Sequence, residues 1–172
     1  HFEKLIKECS VRLVNRVRLH ILLDGRDVGE KTAISFITPI EKLLKSINDE
    51  KGFDYKIASG GGRMITTMDR YQADWSIVER GWKAHVLGDA RHFNSATEAV
   101  QTMYDENPKM TDQYLESFVV VDTEDKPVGK IKDGDAVVFM NFRGDRAIEI
   151  SQAFEDKDFD KFDRVFTPEV FY

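Results

Sequence analysis

Apolar and polar positions alternate along the chain in two recognisable periods. Phe2, Leu5, Ile6 and Cys9 stand at helical spacing with Lys4, Lys7 and Glu8 between them, which predicts a short amphipathic helix. Residues 19–23, Leu-His-Ile-Leu-Leu, form a mostly apolar run that Asp24-Gly25 breaks sharply, the mark of a buried strand. From Ala33 to Ile47 apolar residues fall at 33, 34, 36, 37, 40, 43, 44 and 47, a second helix in spite of Pro39. Glu41 and Lys45 are spaced to pair on its exposed face. Tyr55 to Ala58 is a second strand, so this region reads as a βαβ unit with a right-handed crossover. Helical periodicity returns from Ala73 to Val86, with Gly88 as its end signal, and again through Ala99, Val100, Met103 and Tyr104, capped by Asn94 or Ser95 and ended by Asn107-Pro108. Phe118 to Val121 reads as a strand with an antiparallel return at 128–131, Ala136 to Phe142 as a third core strand, and Ala147 to Phe154 as a helix. This alternation predicts an α/β fold: three layers, α/β/α, around a mixed, largely parallel sheet.

The predicted strand ends carry the candidate chemistry. A parallel sheet presents its ligands in loops beyond the strand carboxyl ends. The first strand delivers Arg26 and Asp27 there. The second runs into Ser59-Gly60-Gly61-Gly62 and then Arg63, with Asp69 and Arg70 following, and the third runs into Arg143 and Arg146. Consecutive glycines allow a close backbone approach or a positive φ, both costly unless used. Arginine grips phosphate or carboxylate with a planar, permanently charged fork. Three strand-end loops with this content predict one anion site at residues 26, 27, 63, 70, 143 and 146. The plainer alternative is that these arginines serve salt bridges to Asp24, Asp27, Asp69 and Asp145.

Composition narrows the partners. The chain has 172 residues, enough for one domain with a real core, and an ordinary 41% of them are apolar. Net charge is 25 − 31 = −6, which argues against broad attraction to nucleic acid or an anionic membrane. The single cysteine, Cys9, excludes an internal disulfide and suits a reducing, cytoplasmic setting, and no signal peptide or 18-residue apolar run is visible. Other motifs carry less. No Gly-Lys-Ser/Thr follows the glycines, the dinucleotide pattern fails at Ile65, and His85 and His92 lack metal-ligand spacing. His20 reads as a core histidine, and Trp75 and Trp82 as one packed helix face.

Five ordered segments, Leu-Leu-Asp-Gly-Arg-Asp-Val (22–28), Ala-Ser-Gly-Gly-Gly-Arg-Met (58–64), Thr-Met-Asp-Arg-Tyr (67–71), Asp-Gly-Asp-Ala-Val (133–137) and Asn-Phe-Arg-Gly-Asp-Arg (141–146), resemble the cofactor-independent phosphoglycerate mutases. The resemblance covers nearly the whole chain, and what it resembles is the inserted substrate-binding domain. It implies that residues 1–172 form one domain of a larger two-domain isomerase, which interconverts 3-phosphoglycerate and 2-phosphoglycerate in glycolysis and gluconeogenesis. A metal-binding, alkaline-phosphatase-like domain of the same protein would be the partner. That domain would hold two divalent ions, Mn2+ or Mg2+, and the serine that carries the phosphoryl group, so this chain alone is expected to be inactive. The resemblance also implies that Arg26, Asp27, Arg63, Arg70, Arg143 and Arg146 contact the substrate, with Asp27 a candidate acid/base. On the residues alone, a stand-alone module for a sugar phosphate or nucleotide and a non-catalytic interaction domain remain open.

Overall fold

The βαβ unit forms where the pattern places it. In the computed structural model, which describes residues 2–141 and 144–172, α1 (Phe2–Val11) precedes β1 (Arg16–Leu23), and α2 (Ala33–Lys51) joins β1 to a parallel neighbour, β2 (Asp54–Gly62). Pro39 sits inside α2 at the cost of one backbone bond, and the helix runs on to Gly52, whose φ of 67° and N–H to the Asn48 carbonyl close it. Glu41 does not pair with Lys45. Its carboxylate accepts from the Ala96 and Thr97 amides and the Thr97 hydroxyl, at the start of α4 (Ala96–Glu106), while Lys45 pairs with Asp49 at 2.6 Å. Unsatisfied helix-start amides hold a carboxylate better than a solvated lysine does.

The sheet is mixed and mostly parallel, in the order β1-β2-β4-β3, with β3 at Arg91–Phe93 and β4 at Phe118–Val120. β4 runs antiparallel to β2 and parallel to β3. Its side chains divide the two faces. Phe118 and Val120 join Ile6, Leu19, Ile37, Leu44, Tyr55 and Val100 beneath α1, α2 and α4, whereas Val119 turns toward Ala84 on the other side. On that second side α3 (Trp75–Trp82), its π-helical continuation Lys83–Leu87 and α5 (Ile148–Glu155) build a core from Val78, Trp82, Val86, Ile150 and Ala153. The helix expected to run unbroken to Val86 therefore widens after Trp82, and Gly88, at φ 68°, ends it.

The expected third core strand does not join the sheet. Ala136 makes one parallel bridge to Phe171, and the Val137 amide donates to the Phe171 carbonyl, so this segment pairs with the C-terminal tail. Val137 and Phe139 pack on the second core while Val138 and Met140 are exposed. Alternation records one buried face and leaves the hydrogen-bonding neighbour undetermined.

The glycines lie within β2, buried, and they permit close approach rather than a positive φ. A Cβ on Gly60 would come within 2.7 Å of both Ile21 and Phe118, and one on Gly62 within 2.4 Å of the Gln113 backbone. Beyond Gly60, β2 is flanked by residues 113–115: the Gly62 amide donates to Leu115 O and the Met64 amide to Gln113 O. On the second face, next to the glycines, Ser59 Oγ lies 2.7 Å from both His20 Nδ1 and His85 Nδ1, and His85 Nε2 lies 2.9 Å from Thr67 Oγ1. Burial drives the His20 imidazole down to about 4, with the Arg18 guanidinium adding to the effect; burial also lowers His85, with His20 beside it.

Two outcomes follow from this packing. Gly62→Ala must push backbone against backbone and is expected to destabilise the fold by ~1–3 kcal/mol in chemical denaturation. Gly144→Ala, whose added Cβ meets nothing within 4 Å, should be near neutral by comparison. The unfolded chain protonates histidine near pH 6.5, whereas His20 in the fold resists protonation down to about 4. The unfolded state therefore binds more protons across that window, and stability falls as pH drops through it. The urea midpoint should decline from about pH 7.5 to about pH 5, and His20→Gln should flatten the decline; an unchanged slope in that variant would count against a neutral, buried His20.

Candidate functional site

A cleft of about 540 Å³ opens at the C-terminal edge of β1 and β2. Its lining includes Arg26, Arg63, Arg70 and Arg146, joined by Met64, Met68, Asp69, Tyr71, Ala73, Ile77, Gln113 and Tyr114. Leu23 pairs with Gly62, so the two strands end level and their arginine-bearing extensions leave from one place. Gly25, at φ 58°, turns the chain beyond β1 at a point where a Cβ would strike Asp112 2.7 Å away. Arg26 follows, exposed, and makes no ion pair among the described residues.

Arg63 continues the β-ladder, its amide donating to the Leu23 carbonyl at 2.9 Å. Its side chain is only 8% exposed. It meets Asp24 at 2.6 Å and Asp27 at 4.0 Å, while its Nε is buried without a partner among the described residues. Asp24 also accepts from the Asp27 amide at 2.9 Å, so one carboxylate steers both the arginine and the turn that carries Asp27. Asp27 itself stands largely exposed beside Arg63.

Arg70 belongs to a loop, residues 64–74, that is neither helix nor strand. Thr67, Tyr71 and Gln72 adopt φ of 67°, 62° and 55°, an unusual concentration of left-handed non-glycine residues. Named contacts hold these positions. Thr67 donates its amide to Ile77 O and bonds His85, Gln72 donates its amide to Glu149, and the Asp74 amide donates to Asp69. Arg70 lies 3.7 Å from Asp145 and 5.3 Å over the ring of Tyr71. Arg146, on the one-turn 3₁₀ segment Gly144–Arg146 before α5, donates to the Met68 carbonyl and is buried.

Four of the six residues expected from the sequence thus line one cleft, and Asp27 stands at its rim through Arg63. Arg143 lies outside the described residues. Three of the four carboxylates named in the plainer alternative do pair with arginines of the cleft: Asp24 and Asp27 with Arg63, and Asp145 with Arg70. Arg146 arrives from a helical turn rather than from a strand of the sheet. Gln113 and Tyr114 carried no periodic signal and gave no sequence expectation, and Tyr71 entered only as the last residue of the segment 67–71. The first two enter because residues 113–115 press against the glycines of β2.

Chemically, the cleft concentrates guanidinium groups with a few apolar walls, and the Asp27 carboxylate stands beside Arg63, the composition of a site for a small multivalent anion. Among the described residues no three histidine, cysteine, aspartate or glutamate side chains gather as metal ligands do.

Known proteins bear directly on this geometry. The profile of the family described as "BPG-independent PGAM N-terminus" matches residues 1–172. A probable 2,3-bisphosphoglycerate-independent phosphoglycerate mutase of Leptospira interrogans is 60% identical over 172 residues, all of this chain and 31% of that protein. The Trypanosoma brucei brucei mutase is 51% identical across 98% of this chain and 30% of its own length. A crystal structure of Leishmania mexicana phosphoglycerate mutase at low cobalt concentration superposes with a TM-score of 0.95 at 56% identity, over 98% of this chain and 31% of that one. The chain therefore spans about a third of the length of the relatives it matches. Matched by the family's profile at every residue and alike in fold to a solved mutase at high identity, it belongs to the 2,3-bisphosphoglycerate-independent phosphoglycerate mutase family.

Proposed function

We propose that this chain is the substrate-binding domain of a mutase that interconverts 3-phosphoglycerate and 2-phosphoglycerate. The observation that carries the reading is the cleft with Arg26, Arg63, Arg70 and Arg146 on its walls, in a chain related to enzymes named for that substrate. Phosphoglycerate carries a carboxylate and a phosphate a few bonds apart, and both suit guanidinium forks. A charge-assisted hydrogen bond contributes roughly 1.5–3 kcal/mol, so several arginines can hold the small acid at one end while the other end reacts.

In this reading a serine outside the chain attacks phosphorus. The ester O–P bond breaks as the serine O–P bond forms, and the released glycerate oxygen takes up a proton. The reverse sequence at the other hydroxyl completes the exchange. Asp27, exposed beside Arg63, is the group that would carry that proton. The arginines keep glycerate from escaping while it is unphosphorylated. The two divalent ions and the serine are assigned, by the resemblance, to the remainder of the protein.

Arg26 is the sharpest point of test, because no ion pair among the described residues complicates its removal. In the full-length protein, Arg26→Ala should lower kcat/KM for 3-phosphoglycerate at least about tenfold, equivalent to about 1.4 kcal/mol of lost interaction, with unchanged thermal stability. Near-normal turnover would remove Arg26 from the site. Absence of mutase activity in the unaltered full-length protein, assayed without added 2,3-bisphosphoglycerate, would overturn the function itself.

A further inference from the structure

The loop that carries Arg70 is latched to the start of α5. Arg146 donates to the Met68 carbonyl, and Glu149 Oε1 accepts from the Gln72 amide at 2.9 Å. Asp69, within the loop, accepts from the Asp74 amide at 2.8 Å. The pair is enclosed: Glu149 is 2% exposed and Asp69 7%. The Asp69 carboxylate acts directly on the Glu149 carboxyl, and Glu149 Oε2 is buried with no hydrogen-bond partner among the described residues. Two ionised carboxylates accept only and repel, so this arrangement lacks a donor.

We propose that Glu149 is a positioning residue that works as a neutral carboxylic acid, its Oε2–H donating to Asp69 while Oε1 retains the Gln72 amide, so that one shared proton fixes the arginine loop against α5. The inference deepens the proposed function, on which its effect on turnover rests. Tyr71 and Gln72 hold left-handed backbone directly beside Arg70, and such residues keep that conformation only where their surroundings impose it. Burial and the neighbouring Asp69 both raise the Glu149 carboxyl above the usual carboxylate range, with the Gln72 amide opposing them. The other charged groups on the packed elements are Arg70 and Asp74 on the loop, Asp145 and Arg146 on the preceding turn, Glu155 on α5, and Glu79, Arg80 and Lys83 on α3 and its continuation. Of these groups and Asp69, the one that raises the Glu149 carboxyl is Asp69.

The test uses the full-length protein and two substitutions. In Glu149→Gln the amide can donate to Asp69 and its carbonyl can accept from Gln72, so kcat/KM for 3-phosphoglycerate should stay within about twofold of the unaltered enzyme. Its activity should also persist further into the alkaline range, where the unaltered enzyme loses the shared proton. Glu149→Ala removes both contacts and should cost about tenfold or more, chiefly through KM. Infrared difference spectroscopy should show a protonated-carboxyl C=O band that is missing in Glu149→Gln. The proposal is overturned if Glu149→Gln is as impaired as Glu149→Ala, or if no carboxylic-acid band is lost. Should Glu149→Ala not fold, the alkaline limb and the infrared band of Glu149→Gln decide alone. An inactive unaltered enzyme would defeat the proposed function, while the infrared band would still judge the shared proton.

Discussion

Side-chain absence at the end of β2 is the constraint on which the rest of this structure depends. Gly60, Gly61 and Gly62 let Ile21, Thr66, Phe118 and the backbone of residues 112–113 all approach within distances that a Cβ would forbid. Three consequences share that origin. β1 and β2 end level, the segment 113–115 closes on the outer edge of β2, and the chain after Gly62 can fold back so that Thr66 meets Ser117. The flexibility usually associated with consecutive glycines is spent here on packing: all three are buried, and their backbone stays extended.

Charge pairing then turns a packed strand end into a shaped site. Asp24 holds Arg63 and the Asp27 amide together, and Asp145 stands 3.7 Å from Arg70. Such pairing does not remove an arginine from binding. A guanidinium has five N–H donors, and one carboxylate contact leaves others for a ligand. The carboxylates supply orientation that a flexible arginine lacks in solution, which lowers the entropy lost when an anion arrives. Salt bridging and substrate binding, opposed as alternatives at the level of sequence, are compatible at the level of geometry.

The His20-Ser59-His85-Thr67 chain and the Asp69–Glu149 pair show how the arginine loop is held from beneath. Both place buried polar groups under a segment with left-handed residues at 67, 71 and 72. Networks of this kind specify one backbone conformation when each member is satisfied. Contacts from other elements hold the unusual φ values in place.

Much of the architecture was legible in the chain. Periodicity located α1, α2, α4 and the first two strands, because each buries one face and repeats at its own period. Arg26, Arg63, Arg70 and Arg146 could be grouped because they follow strand ends or the residues resembling a known family. Other features were decided by tertiary structure, for identifiable reasons. The segment 136–140 alternates like a strand, but alternation carries no information about hydrogen-bonding partners, and it pairs with the tail instead of the sheet. Glu41 had a helical partner four residues away and found unsatisfied amides on another helix that hold it better. Gln113 and Tyr114 reach the cleft only through the close approach at Gly62, and Glu149 meets Asp69 across 80 residues of chain. Local sequence determined which segments fold and where the charges sit; long-range packing alone determined which charges share a proton, a pocket or a partner, because those contacts exist only once distant segments are brought together.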